Sequence, residues 1–184
     1  MKVLIGCESS GVIRNEFRKR GHKAFSCDIL PADDKSPYHI HGDVRLALYY
    51  GWDLFIVHPE CTHLCVSGAR WFPEKRADGR QQEAIKFFME MVEANVDKIC
   101  TENPVGIMST LYKKPSQIIQ PWQFGHPETK ATCLWLKNLP LLIPTDIAEG
   151  REHRIHRMAP GPNRSKERSR SYEGIGRAMA EQWG

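Results

Sequence analysis

Asp53-Leu54-Phe55-Ile56-Val57-His58-Pro59-Glu60-Cys61-Thr62-His63-Leu64-Cys65-Val66-Ser67-Gly68 is the stretch whose reading decides the fold. A short, wholly apolar run bounded by Asp and by His-Pro is a strand buried on both faces, as in a parallel sheet. A Cys and a Ser/Gly loop follow, so a thiol sits at the carboxyl edge of that sheet, where open α/β sheets bind ligands. Further on, Lys98-Ile99-Cys100-Thr101 reads as a second apolar strand and runs into Glu102-Asn103-Pro104. One strand end offers a nucleophile and the other a carboxylate.

Outward from this pair, strands and helices alternate from the first residue. Lys2 to Cys7 reads as a strand, Val12 to Arg20 as a helix capped by Ser9 or Ser10 and ended by Gly21, and His22 to Ile29 as strand two. Pro31 to His41 reads as a loop, Val44 to Tyr50 as a short helix, and Gly68 to Gly79 as a covering loop carrying Arg70, Trp71 and Phe72. Ala84, Ile85, Phe88, Met91 and Val92 recur at helical spacing, so Arg80 to Asn95 is an amphipathic helix. A short helix over Gly106 to Lys114 is expected next, then strands at Ile118 to Gln123 and Thr132 to Leu136, and a final helix over Gly174 to Trp183. The alternation predicts an α/β fold, a doubly wound, mainly parallel, Rossmann-like sheet. All 184 residues are expected to form one domain, in which 151–171 is a basic segment before the last helix.

Hydrophobic residues make up 41% of the chain and charged ones 26%, the balance of a globular protein. No apolar run reaches the roughly 18 residues of a membrane span, and Met1 to Ile5 lacks the features of a signal peptide. Six Cys at irregular spacings point to reduced thiols in a cytoplasmic protein. The net charge of +4 is modest, but Arg151, Arg154, Arg157, Arg164, Lys166, Arg168 and Arg170 face only Glu152 and Glu167 in their stretch. That local excess suits nucleic-acid phosphate, although a solvated charge run has the same composition.

The turn Gly6-Cys7-Glu8-Ser9-Ser10-Gly11 after strand one can present backbone N–H groups to a cofactor. Asp28 follows at about the 20-residue spacing of an acid that binds ribose hydroxyls, and Asp43 is placed to meet an adenine amino group. Cys61 is the candidate nucleophile. Glu102 opposite it can give a proton to a ring nitrogen while the thiolate adds to a neighbouring carbon, the pairing needed to attack C6 of a pyrimidine. His58, Cys61, His63 and Cys65 are dense in potential ligands, but without a C-x-x-C pair no metal site is expected.

The order of these features resembles the cytosine-C5 DNA methyltransferase family, and the chain as a whole resembles small phage-type DNA methylases. The resemblance rests on Ile5 to Gly11, Asp28, Asp43, Pro59-Glu60-Cys61 and Glu102-Asn103-Pro104, with Phe124 to Thr132 and Tyr172 to Gly184 as weaker matches. It implies S-adenosyl-L-methionine as cofactor, held by Gly6, Cys7, Glu8, Ser9, Gly11, Asp28, Asp43 and Pro59. It implies catalysis by Cys61, Glu102 and Asn103, with Lys130 or Arg70 as the donor that grips the base. Three departures stand out. Glu60 replaces the proline before the cysteine and should raise the thiol pKa. Thr132 replaces an arginine that holds the pyrimidine carbonyl. Only about 40 residues separate Thr132 from Tyr172, too few for a target-recognition domain.

The expected substrate is therefore cytosine in single-stranded or partner-presented DNA, in RNA, or in a free nucleotide, with a partner protein supplying recognition where a duplex is read. Arg70, Arg164, Lys166, Arg168 and Arg170 are the expected phosphate contacts. The cytoplasm, that of the host for a phage-encoded chain, is the expected compartment. Two rivals remain. The same Cys/Glu adduct could serve deamination or another C5 substitution without a methyl donor. The chain could also be a non-catalytic nucleic-acid-binding protein of the same fold.

Overall fold

A computed structural model describes residues 1–162 and 164–184. The strands are β1 (Lys2–Gly6), β2 (Lys23–Asp28), β3 (His39–His41), β4 (Leu54–Val57), β5 (Lys98–Pro104), β6 (Gln117–Ile119) and β7 (Thr132–Lys137). The α-helices are α1 (Val12–Lys19), α2 (Val44–Ala47), α3 (Phe72–Ala77), α4 (Arg80–Val92), α5 (Met108–Leu111), α6 (Arg154–Arg157), α7 (Arg164–Ser169) and α8 (Glu173–Trp183). The strands form one sheet of seven in the order β3-β2-β1-β4-β5-β7-β6. All pairings are parallel except those of β7, which runs antiparallel to both β5 and β6. The sheet is thus doubly wound and mainly parallel.

Its central strands are apolar throughout because both faces are covered. On one face Val3, Ile5, Leu54 and Ile56 pack with Ile13 and Phe17 of α1 and Ile175, Met179 and Trp183 of α8. On the other, Leu4, Phe55, Val57 and Ile99 pack with Val44, Ala47 and Met91. Residues alternate between the two clusters along β1 and β4, as the period of a strand requires. The order reverses between β1 and β4, so the crevice beyond their carboxyl ends is the sheet's switch point.

Four local readings are corrected. β3 lies inside the expected loop Pro31 to His41. Gly68 to Gly79 is largely helical, with a 3₁₀ turn over Val66–Trp71 followed by α3. Pro73 at the start of α3 fits there because its missing N–H would be unpaired anyway. The strand expected at Ile118 to Gln123 stops at Ile119, and Pro121 opens a 3₁₀ turn. Finally, the cap of α1 is neither Ser9 nor the N-cap residue Gly11, which makes no side-chain bond. Glu8 does the capping: its buried carboxyl accepts the N–H groups of Ile13 at 2.8 Å and Arg14 at 3.3 Å. Ser10 adds only a 3.4 Å contact to Val12 N–H.

Candidate active site

The first wall of the crevice is the turn after β1. A Cβ on Gly6 would lie 2.8 Å from both Phe55 and Val44, so no side chain fits. Cys7 adopts φ +58°, a left-handed conformation usually left to glycine. Glu8 turns inward to cap α1, which commits its carboxyl to the helix. Among the described residues, the N–H groups of Ser9, Ser10 and Gly11 donate to no protein acceptor.

Two carboxylates converge on this turn. Burial, then the charges of Asp28 and Asp43, push the Cys7 thiol up to about 12. Asp28 accepts Leu30 N–H through one oxygen, at 2.9 Å. Asp43 caps α2 through Arg45 N–H at 2.9 Å, and that bond leads the causes holding its pKa low. It is also ion-paired to the Arg45 side chain at 3.0 Å, and Arg45 continues to Glu90 at 2.7 Å.

The second wall is the loop after β4. His58 N–H donates to Gly6 carbonyl at 3.0 Å, extending the β1–β4 pairing one residue past β4. Asn103, buried at the end of β5, donates its side-chain amide to Pro59 carbonyl at 3.0 Å. Asn103 thus positions the 59–61 loop rather than reaching out of the sheet. Cys61 opens a tight turn, its carbonyl accepting the N–H groups of Leu64 at 3.0 Å and Cys65 at 2.9 Å. The Lys75 ammonium donates to Thr62 carbonyl at 2.6 Å, and Gln81 donates to His63 carbonyl at 3.0 Å. Behind the turn, Ile107 N–H donates to Leu64 carbonyl at 3.0 Å, and a Cβ on Gly106 would meet that carbonyl oxygen at 2.4 Å. The turn is therefore held from several sides.

Register brings the chemistry together. Val57 pairs with Thr101, so the next residues of the parallel strands, His58 and Glu102, stand side by side. His58 Nδ1 lies 2.8 Å from Glu102 Oε2. Burial alone would raise the Glu102 pKa, but the His58 pair and Lys130 bring it below the usual carboxylate range. Burial pushes the Cys61 thiol up to about 11, Cys65 and Glu102 add to this, and Lys130 opposes it. Cys61 is thus a thiol at neutral pH. The expected contribution of Glu60 is corrected here: Glu60 is exposed, and the carboxylate acting on the thiol is Glu102.

Lys130, from the segment before β7, approaches from the far side, with its ammonium 5.7 Å from the Tyr172 ring centre and 3.5 Å from Arg170 carbonyl. Thr132 cannot replace the family's arginine, because it is buried and its hydroxyl donates to Lys130 carbonyl at 3.1 Å. Glu128 is held by Arg154 at 2.8 and 3.0 Å and by the Tyr172 hydroxyl at 2.6 Å, which ties this segment to the C-terminal part. Arg70 is exposed against Trp71, 4.9 Å from its ring centre. In the basic stretch, Arg164 donates to Met158 carbonyl at 3.0 Å and Lys166 pairs with Asp33 at 2.7 Å. Arg168 is half-buried and Arg170 exposed.

His58 was read as a potential metal ligand, and its pairing with Glu102 was missed. The available signal was that two apolar strands ending in His and in Glu become neighbours in a parallel sheet. Cys65, in the same reading, has its sulfur 3.2 Å from Ser67 Oγ. Among the described residues, no three His, Cys, Asp or Glu side chains converge as a metal site would require.

Two solved structures described as methyltransferases superpose on this chain. A protein described as a putative DNA modification methyltransferase, encoded within an E. coli prophage, superposes with a TM-score of 0.53 at 17% identity, over 80% of this chain and 52% of that one. A methyltransferase of Entamoeba histolytica, EhMeth, superposes with a TM-score of 0.52 at 11% identity, over 90% of this chain and 62% of that one. What the chain shares with them is the fold, a doubly wound, mainly parallel, Rossmann-like sheet. The chain spans between half and two thirds of the length of these structures. No family model and no curated protein matches the sequence.

Proposed function

We propose that this chain is an S-adenosylmethionine-dependent methyltransferase acting on C5 of cytosine, in single-stranded or partner-presented DNA. The observation that carries the reading is the placement of Cys61 just past the carboxyl end of β4 and of Glu102 near the carboxyl end of the adjacent β5, beside the turn that follows β1. The chain's donor set fits the cofactor. The N–H groups of Ser9, Ser10 and Gly11 have no acceptor among the described residues, and Asp28 has one oxygen committed to Leu30. Asp28 would hold the ribose hydroxyls and Asp43 the adenine edge. When bound, S-adenosylmethionine supplies an electrophilic methyl carbon at C5.

The chain's own residues prepare C5. Cys61 Sγ, after losing its proton to solvent, bonds to C6 as Glu102 passes a proton to N3 and the 5,6 electron pair moves to C5. Loss of the C5 proton to solvent then expels Cys61 by elimination. Lys130 lowers the cost of the Cys61 thiolate and is placed to grip the base in place of Thr132. A base in a duplex must first leave the stack, at about a few kcal/mol, which favours unpaired substrates.

Transfer of a labelled methyl group from S-adenosylmethionine to a cytosine oligonucleotide tests this reading. Asp28→Ala should weaken cofactor affinity roughly 10- to 150-fold, the value of about 1.5–3 kcal/mol for a charge-assisted hydrogen bond. Asp43→Asn, which keeps a capping oxygen for α2, should weaken it as well. Equal calorimetric affinity in all three proteins would misplace the cofactor.

For the basic stretch, binding of a single strand should fall with salt at a logarithmic slope of roughly −0.7 per phosphate, or about −3 for four contacts. Replacing Arg164, Lys166, Arg168 and Arg170 with Ala should flatten that slope and spare cofactor affinity. An unchanged slope would move the nucleic acid elsewhere. The committed hydroxyl of Thr132 favours one second reading, a non-catalytic nucleic-acid-binding protein. That reading predicts the same salt slope with no methyl transfer.

A further inference from the structure

We propose that His58 is the positioning residue behind Glu102, holding the proton that Glu102 passes to N3 of the pyrimidine; this rests on the cytosine-adduct reading above. The geometry carries the inference. His58 Nδ1 lies 2.8 Å from Glu102 Oε2, at the end of the strand that leads into Cys61. His58 Nε2 is buried and has no hydrogen-bond partner among the described residues. A buried imidazole kept only for structure normally has both nitrogens satisfied. This one is anchored at one nitrogen, and the nitrogen it anchors through faces the carboxylate that must deliver a proton.

The surrounding charges support a proton held on the imidazole. Burial opposes it, Glu102 favours it through charge and hydrogen bond, Glu8 favours it from the turn after β1, and Lys130 opposes it from before β7. The sum lies above the ordinary histidine value. Burial in turn raises the pKa of Glu8, which His58 and the α1 N–H groups oppose. The Glu102 pKa is lowered, so between it and the raised His58 pKa the pair is imidazolium and carboxylate. The pair stabilises the fold in the window between the lowered Glu102 pKa and the raised His58 pKa. That contribution fades as pH falls through the first or rises through the second.

The step balances with one proton. As the Sγ–C6 bond forms, the Nδ1 proton moves to the Glu102 carboxylate and on to N3. His58 is left neutral and Glu102 ionised. When Cys61 departs and N3 gives up its proton, the same two groups take it back. Glu8 acts on His58 through its charge and His58 bonds Glu102, which couples the cofactor turn to the base site.

The test has two readouts on the full-length protein. The first is an NMR titration of His58 without ligand. Its imidazole should titrate above the ordinary histidine value in the wild type, and Glu102→Gln should bring it down. The second is the pH profile of methyl transfer in the wild type and in His58→Asn, whose amide can still donate to Glu102 but carries no exchangeable charge. The ratio of wild-type to variant rates should be near one at a pH low enough for Glu102 to hold its own proton, and should rise to roughly 10²-fold as pH climbs towards the His58 pKa. Above the His58 pKa neither protein stores the proton and the ratio should stop rising. Cofactor affinity should stay close to wild type, and the thermal midpoint should fall only within the pH window in which the ion pair contributes. A ratio that does not change with pH, or a His58 titration indifferent to Glu102→Gln, would overturn the relay while leaving the methyltransferase reading in place. Absence of methyl transfer from the wild type itself would overturn that reading, and the relay with it.

Discussion

Cys61→Ser is expected to lower methyl transfer by roughly 10⁴-fold or more, the scale of loss when a covalent nucleophile is removed. The hydroxyl matches the thiol closely in shape, so the turn from Cys61 to Cys65 should keep its backbone bonds. What disappears is the polarizable thiolate. With the Cys61 pKa already pushed up to about 11 by burial, Cys65 and Glu102, a hydroxyl in the same place would stay protonated throughout the working range. Cys65→Ser should stay within about threefold of wild type, because the Cys65 sulfur faces Ser67 at 3.2 Å and has no part in the adduct. A dead Cys65 variant beside an active Cys61 variant would shift the nucleophile by one turn of the loop.

Glu102→Gln is expected to lower the rate by roughly 10²- to 10⁴-fold, the usual contribution of a positioned general acid. The amide oxygen can still accept from His58 Nδ1, so the fold should survive, but it cannot shuttle a proton. Without proton delivery to N3, attack at C6 builds negative charge on the ring with nothing to quench it. A purely structural Glu102 would instead show normal turnover at a reduced thermal midpoint. Rate and midpoint measured on the same preparation separate the two.

Much of this arrangement was legible in the sequence, for definite reasons. β1 and β4 announce themselves because a parallel strand covered on both faces must be apolar along its length, and β2 and β5 show shorter apolar runs between polar ends. Cys61 and Glu102 could be placed on one edge because parallel strands all end at the same side. β3 was hidden, since a three-residue edge strand of His39, Ile40 and His41 carries no apolar run. The helical nature of the segment after Val66 was hidden by Gly68 and Pro73, which signal a loop unless the proline falls in the first turn of a helix.

The cap of α1 was misassigned to serine because a glutamate curling back from before the turn reaches the N–H groups of Ile13 and Arg14 only through the tertiary bend at Cys7. The His58–Glu102 pair depends on register, a property of two strands together and of neither alone. Lys130 reaches the site through the packing of Tyr172 against the segment from His126 to Lys130, with the His126 and Tyr172 rings 5.0 Å apart. No local pattern encodes that contact.

The most direct measurement of the central claim is covalent trapping with an oligonucleotide containing 5-fluorocytosine in the presence of S-adenosylmethionine. Fluorine at C5 cannot leave as a proton does, so elimination stalls with the enzyme bonded to C6. The account predicts a denaturation-stable complex in which peptide mass mapping finds the added nucleotide on Cys61, and its loss in Cys61→Ser. A protein that binds the oligonucleotide and the cofactor yet forms no adduct, or carries the adduct on another residue, would contradict it.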